Sequence, residues 1–398
     1  MIQREQLPRD QRRFHDAVKA IRRNPISGPF ITLLNSSPDL ATRVAHLGHY
    51  FHARGQVDES IVPMRVRGFI AAIGARALDG AYEWCAWINW ALGAGVSQAT
   101  VDAIRESRPL PPLPHADQLA LAVCSELTSG AHRLSEQTFS AALEHFGWRG
   151  LVELVATLGY FALIAFPLNA FEIEMTSDQL AKRKPFAPLP LPPHPGVTPA
   201  GAPRAAFAPE AAPRRSARIP VVTSIEDLEP ADRHFFDRVV RTRGRVAGPF
   251  GVLLSSPDLA DRVAVVGEPL VYGKAIPAPA RALVWLLTAA EFDCDYEWAF
   301  ARAAAEEAGL PAALVDAAGR RLPLTGAMPE LEAVADFCHQ LLRGNHHVND
   351  GVYRATVERF GVPATVQIAA TVGYFVMQAA LLNAFEIGPE GDATELVL

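Results

Sequence analysis

Tyr82-Glu83-Trp84, Gly159-Tyr160-Phe161 and Leu168-Asn169-Ala170-Phe171-Glu172-Ile173 return later in the chain. There they read Tyr296-Glu297-Trp298, Gly373-Tyr374-Phe375 and Leu382-Asn383-Ala384-Phe385-Glu386-Ile387. All three pairs share one offset, 214 (296 − 82), and Pro63/Pro277, Cys124/Cys338 and His132/His346 obey it. An earlier pair, Ser36-Ser37-Pro38-Asp39-Leu40-Ala41 and Ser255-Ser256-Pro257-Asp258-Leu259-Ala260, is offset by 219 (255 − 36). The copies therefore differ by a small insertion or deletion before Pro63. A register held this far marks a duplicated unit, and a repeat decides the fold before any single helix does.

The reading divides the chain into a first domain over 1–178, a linker over 179–222 and a second domain over 223–398. From Lys182-Arg183-Lys184-Pro185 to Pro220 the linker alternates proline with alanine, leucine and arginine. Proline fixes φ and donates no hydrogen bond, so this stretch should be extended and partly polyproline-II. Its basic character leaves two readings open, a solvated spacer or a binding segment.

The composition is that of soluble globular protein, with 49% hydrophobic and 20% charged residues among 398. A net charge of -6 gives no global field for nucleic acid or an anionic membrane. The four cysteines, Cys85, Cys124, Cys294 and Cys338, form no C-x-x-C pair, which argues against a zinc site or a thioredoxin-like couple. With a polar Met1-Ile2-Gln3-Arg4-Glu5 start, free thiols point to a reducing cytoplasm. The most apolar stretch, Leu151 to Phe171, is interrupted by Glu153 and Pro167 and recurs in the second copy. It reads as a buried core helix and not a membrane span.

Helical periodicity covers nearly everything outside the linker. Ser37-Pro38-Asp39 and Ser256-Pro257-Asp258 place serine at N-cap, proline at N1 and an acid in the first turn. Pro63 and Pro277 read as N1 of the next helix. Gly95 and Gly309 read as C-caps, Ser97 opens a short helix, and Asn169 and Asn383 end the last one. Further helices are expected around Ala116–Leu127, Ser135–Phe146 and Leu151–Phe166, with six to eight helices in each copy packed as a bundle.

Glu83 and Glu297 are the candidate catalytic groups. Each sits early on a helix between Tyr and Trp, and a carboxyl desolvated by aromatics has a raised pKa suited to proton transfer near neutrality. Asp79 and Asp293, four residues earlier, act either as a second carboxylate or as helix caps. Arg67 and Arg281 could grip a substrate carboxylate or pair with these acids. Trp84 and Trp298 are either aromatic platforms or core anchors. Cys124 and Cys338 read as inert core thiols. His132 and His346 read as loop caps, since only one histidine of His346-His347 is shared.

Tyr82-Glu83-Trp84 with Ala91 and Gly95-Val96-Ser97 resembles the core motif of the carboxymuconolactone decarboxylase family, which shares the AhpD-like helical fold with alkylhydroperoxidases. Pro63 with Arg67, and Gly159-Tyr160 with Leu168-Asn169, resemble its decarboxylase branch. Pro277, Arg281, Tyr296-Glu297-Trp298, Gly373-Tyr374 and Leu382-Asn383 repeat the likeness. The resemblance covers most of both copies and implies an all-α protein of two AhpD-like bundles in tandem. It implies a lyase or isomerase, without cofactor or metal, acting on a small carboxylated or lactone-like metabolite. Glu83 or Glu297 would move the proton. Arg67, Trp84, Trp87, Arg281 and Trp298 would bind the substrate.

The chain departs from the family in its proton-handling set. The motif Glu-Trp-x-x-His ends here in Trp87 and Ala301. The peroxidase cysteines are Gly80 and Glu83 in one copy and Cys294 and Glu297 in the other, so disulfide turnover lacks its second thiol. The peroxidase relay glutamate is Gly68 or Ala282. A second expectation is therefore a degenerate, non-catalytic ligand-binding or assembly protein, with Trp87 filling the space of a substrate. The family's oligomeric habit implies that the copies pair as a covalent pseudo-dimer and associate further.

Overall fold

The computed structural model describes residues 4–23, 26–52, 58–130, 132–173, 217–324 and 328–389. Most of the expected linker lies outside these residues. No strand occurs among the described residues, and the protein is all-α. The first half runs α1 (Arg12–Arg22), α2 (Pro29–Ser36), α3 (Pro38–His52), α4 (Met64–Ala77), α5 (Ala81–Gly93), α6 (Gln98–Arg105), α7 (His115–Thr128) and α8 (Glu136–Ala170). The second runs α9 (Arg233–Arg243), α10 (Pro249–Leu253), α11 (Pro257–Val271), α12 (Ala278–Glu291), α13 (Asp295–Glu307), α14 (Ala312–Gly319), α15 (Pro329–Leu342) and α16 (Asp350–Ala384). From α4 and α12 onward both ends of every helix repeat at the offset of 214 (278 − 64).

Local chemistry explains most boundaries. Ser97 caps α6 by accepting from Thr100 N at 3.1 Å. Pro63 and Pro277 sit one position earlier than expected, at N-cap. The two helices expected around 135–166 run together as α8, broken at Gly147 (φ 66°), and α16 breaks likewise at Gly361 (φ 74°). Both breaks fall in the left-handed region, which glycine enters without strain.

Beyond each break lies the apolar stretch. It is long and apolar enough to cross a membrane, but in both helices it is wholly buried within the fold. Here α8 and α16 cross at backbone distance. A Cβ on Gly159 would lie 2.8 Å from Met377 Cα, and one on Gly373 would lie 2.5 Å from Leu163 Cα. Since 163 and 377 are themselves equivalent positions (377 − 163 = 214), the two contacts are the same contact with the halves exchanged.

Other contacts between the halves are reciprocal in the same way. Arg43 donates to the Val265 carbonyl (2.7 Å) and Arg262 to that of His46 (2.8 Å). Arg133 reaches the Asp293 carbonyl (3.3 Å) and His347 that of Asp79 (3.2 Å). Contacts that recur with the partners exchanged are those of surfaces related by a two-fold axis.

Two expected caps do other work. Ser256 makes no side-chain cap to α11. Its hydroxyl donates instead to Glu153 Oε1 (3.0 Å) in the other half, and Ser37 accepts from Gln367 (3.1 Å). Glu153 is wholly buried on α8 and also takes Tyr50, Ser60, the Ile61 N–H and Arg149. A buried carboxylate needs such donors, and Ser256 is drawn across to supply one. Asn169 and Asn383 donate to the Leu78 (2.8 Å) and Phe292 (2.7 Å) carbonyls, so they cap α4 and α12 and do not end their own helices.

Candidate functional site in the second half

Glu297 on α13 and Glu83 on α5 are both buried, and each accepts a hydrogen bond from an indole N–H. The indole comes from a different helix in each half. In the first, Trp87 lies one turn after Glu83 on the same helix. In the second that position is Ala301, and the donor is Trp285 on α12, whose counterpart is Ala71. Both indoles meet equivalent phenylalanines, Trp87 edge-on to Phe161 and Trp285 stacked on Phe375 with ring centres 5.0 Å apart.

The surroundings differ. In the first half His52 stacks on Trp87 at 3.9 Å and lies against Trp90, Tyr160 and Phe161. At the matching positions of the second half stand Val271, Ala301, Ala304, Tyr374 and Phe375. Small residues replace His52, Trp87 and Trp90, and a cavity of about 90 Å³ opens. Its polar lining residues are Glu297, Trp285, Arg243, Arg245, Tyr272, Tyr296, Tyr374 and Gln378.

Burial pushes the Glu297 carboxyl up to about 8, against a partial offset from the Arg243 charge. Trp285 occupies Oε2, and among the described residues no group donates to Oε1. Arg243 ends α9 and is held from Nη2 by the Ala264 carbonyl (3.0 Å) and the Tyr374 hydroxyl (2.7 Å). Its guanidinium lies 4.8 Å from the Phe250 ring centre, and among the described residues its Nε has no acceptor. The cavity thus brings together, within aromatic walls, a carboxyl whose pKa burial raises and the Arg243 guanidinium.

The two arginines expected to face a substrate do not. Arg67 is wholly buried and donates to the Val62 (2.9 Å) and Phe51 (2.7 Å) carbonyls and to Asp58. Arg281 donates to the Gly273 (2.6 Å) and Ile276 (3.3 Å) carbonyls and does not line the cavity. Both hold the turn before their helix, whose carbonyls would otherwise lack donors. Trp84 and Trp298 are core anchors, Trp298 against Gly319, and Trp87 fills the first half. Asp79 and Asp293 occupy left-handed turns (φ 49° and 48°) ahead of the N-caps Gly80 and Cys294, and they pair with Arg76 and Arg321. His132 and His346 bond the Leu127 (2.9 Å) and Leu341 (2.7 Å) carbonyls that end α7 and α15.

No family model, curated protein or solved structure matches the chain.

Arg243, Trp285 and Gln378 were not singled out from sequence. Trp285 and Gln378 face Ala71 and Ile164 in the repeat, so a search for shared residues passes over them. Arg243 does have a partner, Arg22, placed 4.1 Å from the Phe30 ring. The signal was Gly28-Pro29-Phe30 against Gly248-Pro249-Phe250, each shortly after an arginine.

All four cysteines are buried. Burial pushes the Cys124 thiol up to about 12 and those of Cys294 and Cys338 upward as well. A thiolate-selective reagent is therefore expected to label none of them in the native chain and all after denaturation. Native labelling of Cys294, at the N-cap of α13, would contradict this placement.

Proposed function

We propose that the second half carries a single acid–base site, a cofactor-free lyase or isomerase centre for a small carboxylated or lactone-like metabolite. On this reading the first half is its closed structural counterpart. The supporting observation is that Glu297 and Arg243 meet on one aromatic-walled cavity. A carboxyl held up to about 8 keeps its proton at neutral pH and can deliver it to carbon. Arg243 offers N–H groups to a substrate carboxylate. In the lyase form the electron pair of the breaking C–C bond moves into the substrate's own unsaturation and carbon dioxide leaves. The carbon that receives the pair takes the Glu297 proton, and solvent restores it. The reciprocal contacts between halves support reading the chain as a covalent pseudo-dimer of a duplicated domain.

A second reading, ligand binding without turnover, is favoured by buried Ala301 at the family's histidine position. Mass spectrometry of small molecules co-purified with the full chain separates the two. A lyase or isomerase is expected to accumulate a small acid on Glu297→Gln, to lose it in Arg243→Gln and to be indifferent to Glu83→Gln. The same unconverted acid on the wild-type chain and Glu297→Gln would establish the binding protein. No retained acid on any variant would defeat both.

A further inference from the structure

Gln378 lies on α16 inside the fold, 3% exposed, and lines the same cavity as Glu297 and Arg243. Among the described residues neither its amide nitrogen nor its amide oxygen has a hydrogen-bond partner. Such a group costs free energy wherever it is left unmet in an apolar interior. The matching residue of the first half is Ile164, equally buried, where His52 and Trp90 fill the space. A polar side chain therefore stands in place of an apolar one where the cavity opens beside Glu297.

The position of Gln378 is also informative. It follows Tyr374 by four residues, which puts the two on one face of α16, one turn apart. Tyr374 is the group that holds Arg243 from its hydroxyl. A ligand whose carboxylate sits on Arg243 can therefore present a second polar group about 5 Å along the helix, at Gln378. The amide provides both an acceptor and donors, so the matching ligand group is one that can donate as well as accept.

We propose that Gln378 is a specificity-determining residue, and that the cavity selects small carboxylates carrying a hydroxyl over their deoxy analogues. This rests on the reading of the cavity as a carboxylate site. A site built to hydrogen-bond a hydroxyl rejects the analogue lacking it, because its own polar group is then left unpaired.

Paired probes test it by calorimetric titration of the full chain: benzoate against meta-hydroxybenzoate, and butyrate against beta-hydroxybutyrate. The wild-type chain is expected to prefer the hydroxylated member of at least one pair by roughly tenfold or more. In Gln378→Leu that preference is lost, while the deoxy member binds as well or better. The same variant is expected to melt higher than wild type, since it removes an unmet amide at a site where Ile164 is already accepted. Equal binding within both pairs, or a preference that survives in Gln378→Leu, overturns the inference and leaves Arg243-dependent binding standing. Lower stability of Gln378→Leu with unchanged preference assigns the amide a structural role and overturns it too. Failure of every probe to bind, or binding unaffected by Arg243→Gln, defeats this inference together with the carboxylate reading.

Discussion

Gly373→Ala is expected to destabilise the fold by about 3 kcal/mol, the upper range for an overpacked core. The added methyl would lie 2.5 Å from Leu163 Cα and 2.8 Å from the Ala162 carbonyl oxygen, both backbone atoms of α8. Neither can move without shifting α8 against α16, and these helices carry the buried apolar stretches of the two halves. Gly93→Ala is the internal control. It lies at the end of α5 with nothing within 4 Å of the new methyl, so its effect should be close to neutral. Urea unfolding of both variants checks the difference. A Gly373→Ala midpoint equal to that of Gly93→Ala would mean that the helices do not cross this closely.

Glu297→Gln is expected to lower kcat/KM on the site's substrate by about 10²- to 10⁴-fold, the usual worth of a positioned proton donor. Glu83→Gln, whose carboxyl in the first half is bound by the Trp87 indole, should leave it within a factor of about two. In the wild-type chain kcat/KM should fall as pH rises through about 8, where Glu297 loses its proton. Stability should move in the same direction. Folding raises this carboxyl from its ordinary 4.5 to about 8, so between those values the native state binds more protons than the unfolded one. Stability from this group is complete below 4.5, declines as pH climbs and is fully lost above about 8. The melting temperature of Glu297→Gln should therefore depend less steeply on pH over that window. Parallel pH profiles of the two proteins would count against a buried, protonated Glu297.

The fold was largely legible because it rests on repeated, short-range signals. Helix periodicity, the Ser97 cap and the glycines at 95 and 309 each act within a turn or two, and the offset of 214 checks one half against the other. Misreadings came where a side chain left its own neighbourhood. Ser256 has the sequence of an N-cap, but Glu153, far away in the chain, offers it a buried charge. Arg67 and Arg281 have the look of substrate clamps, but unmet carbonyls in the preceding turn take their donors. The candidate site was legible only in Glu297. Residues shared by both halves turned out mostly to hold the fold. Those that open and line the cavity are where the halves disagree: Val271 for His52, Ala304 for Trp90, Trp285 for Ala71 and Gln378 for Ile164.

The reciprocal contacts explain why such disagreement is tolerated. In an assembly of identical subunits every mutation is made twice, so hollowing out one pocket hollows out its mate and weakens the whole. Joining both lobes on a single polypeptide removes that constraint. One lobe can stay tightly filled and act as a rigid foundation, and the other is free to trade packing for an opening. The fusion lets a symmetric architecture become lopsided without falling apart.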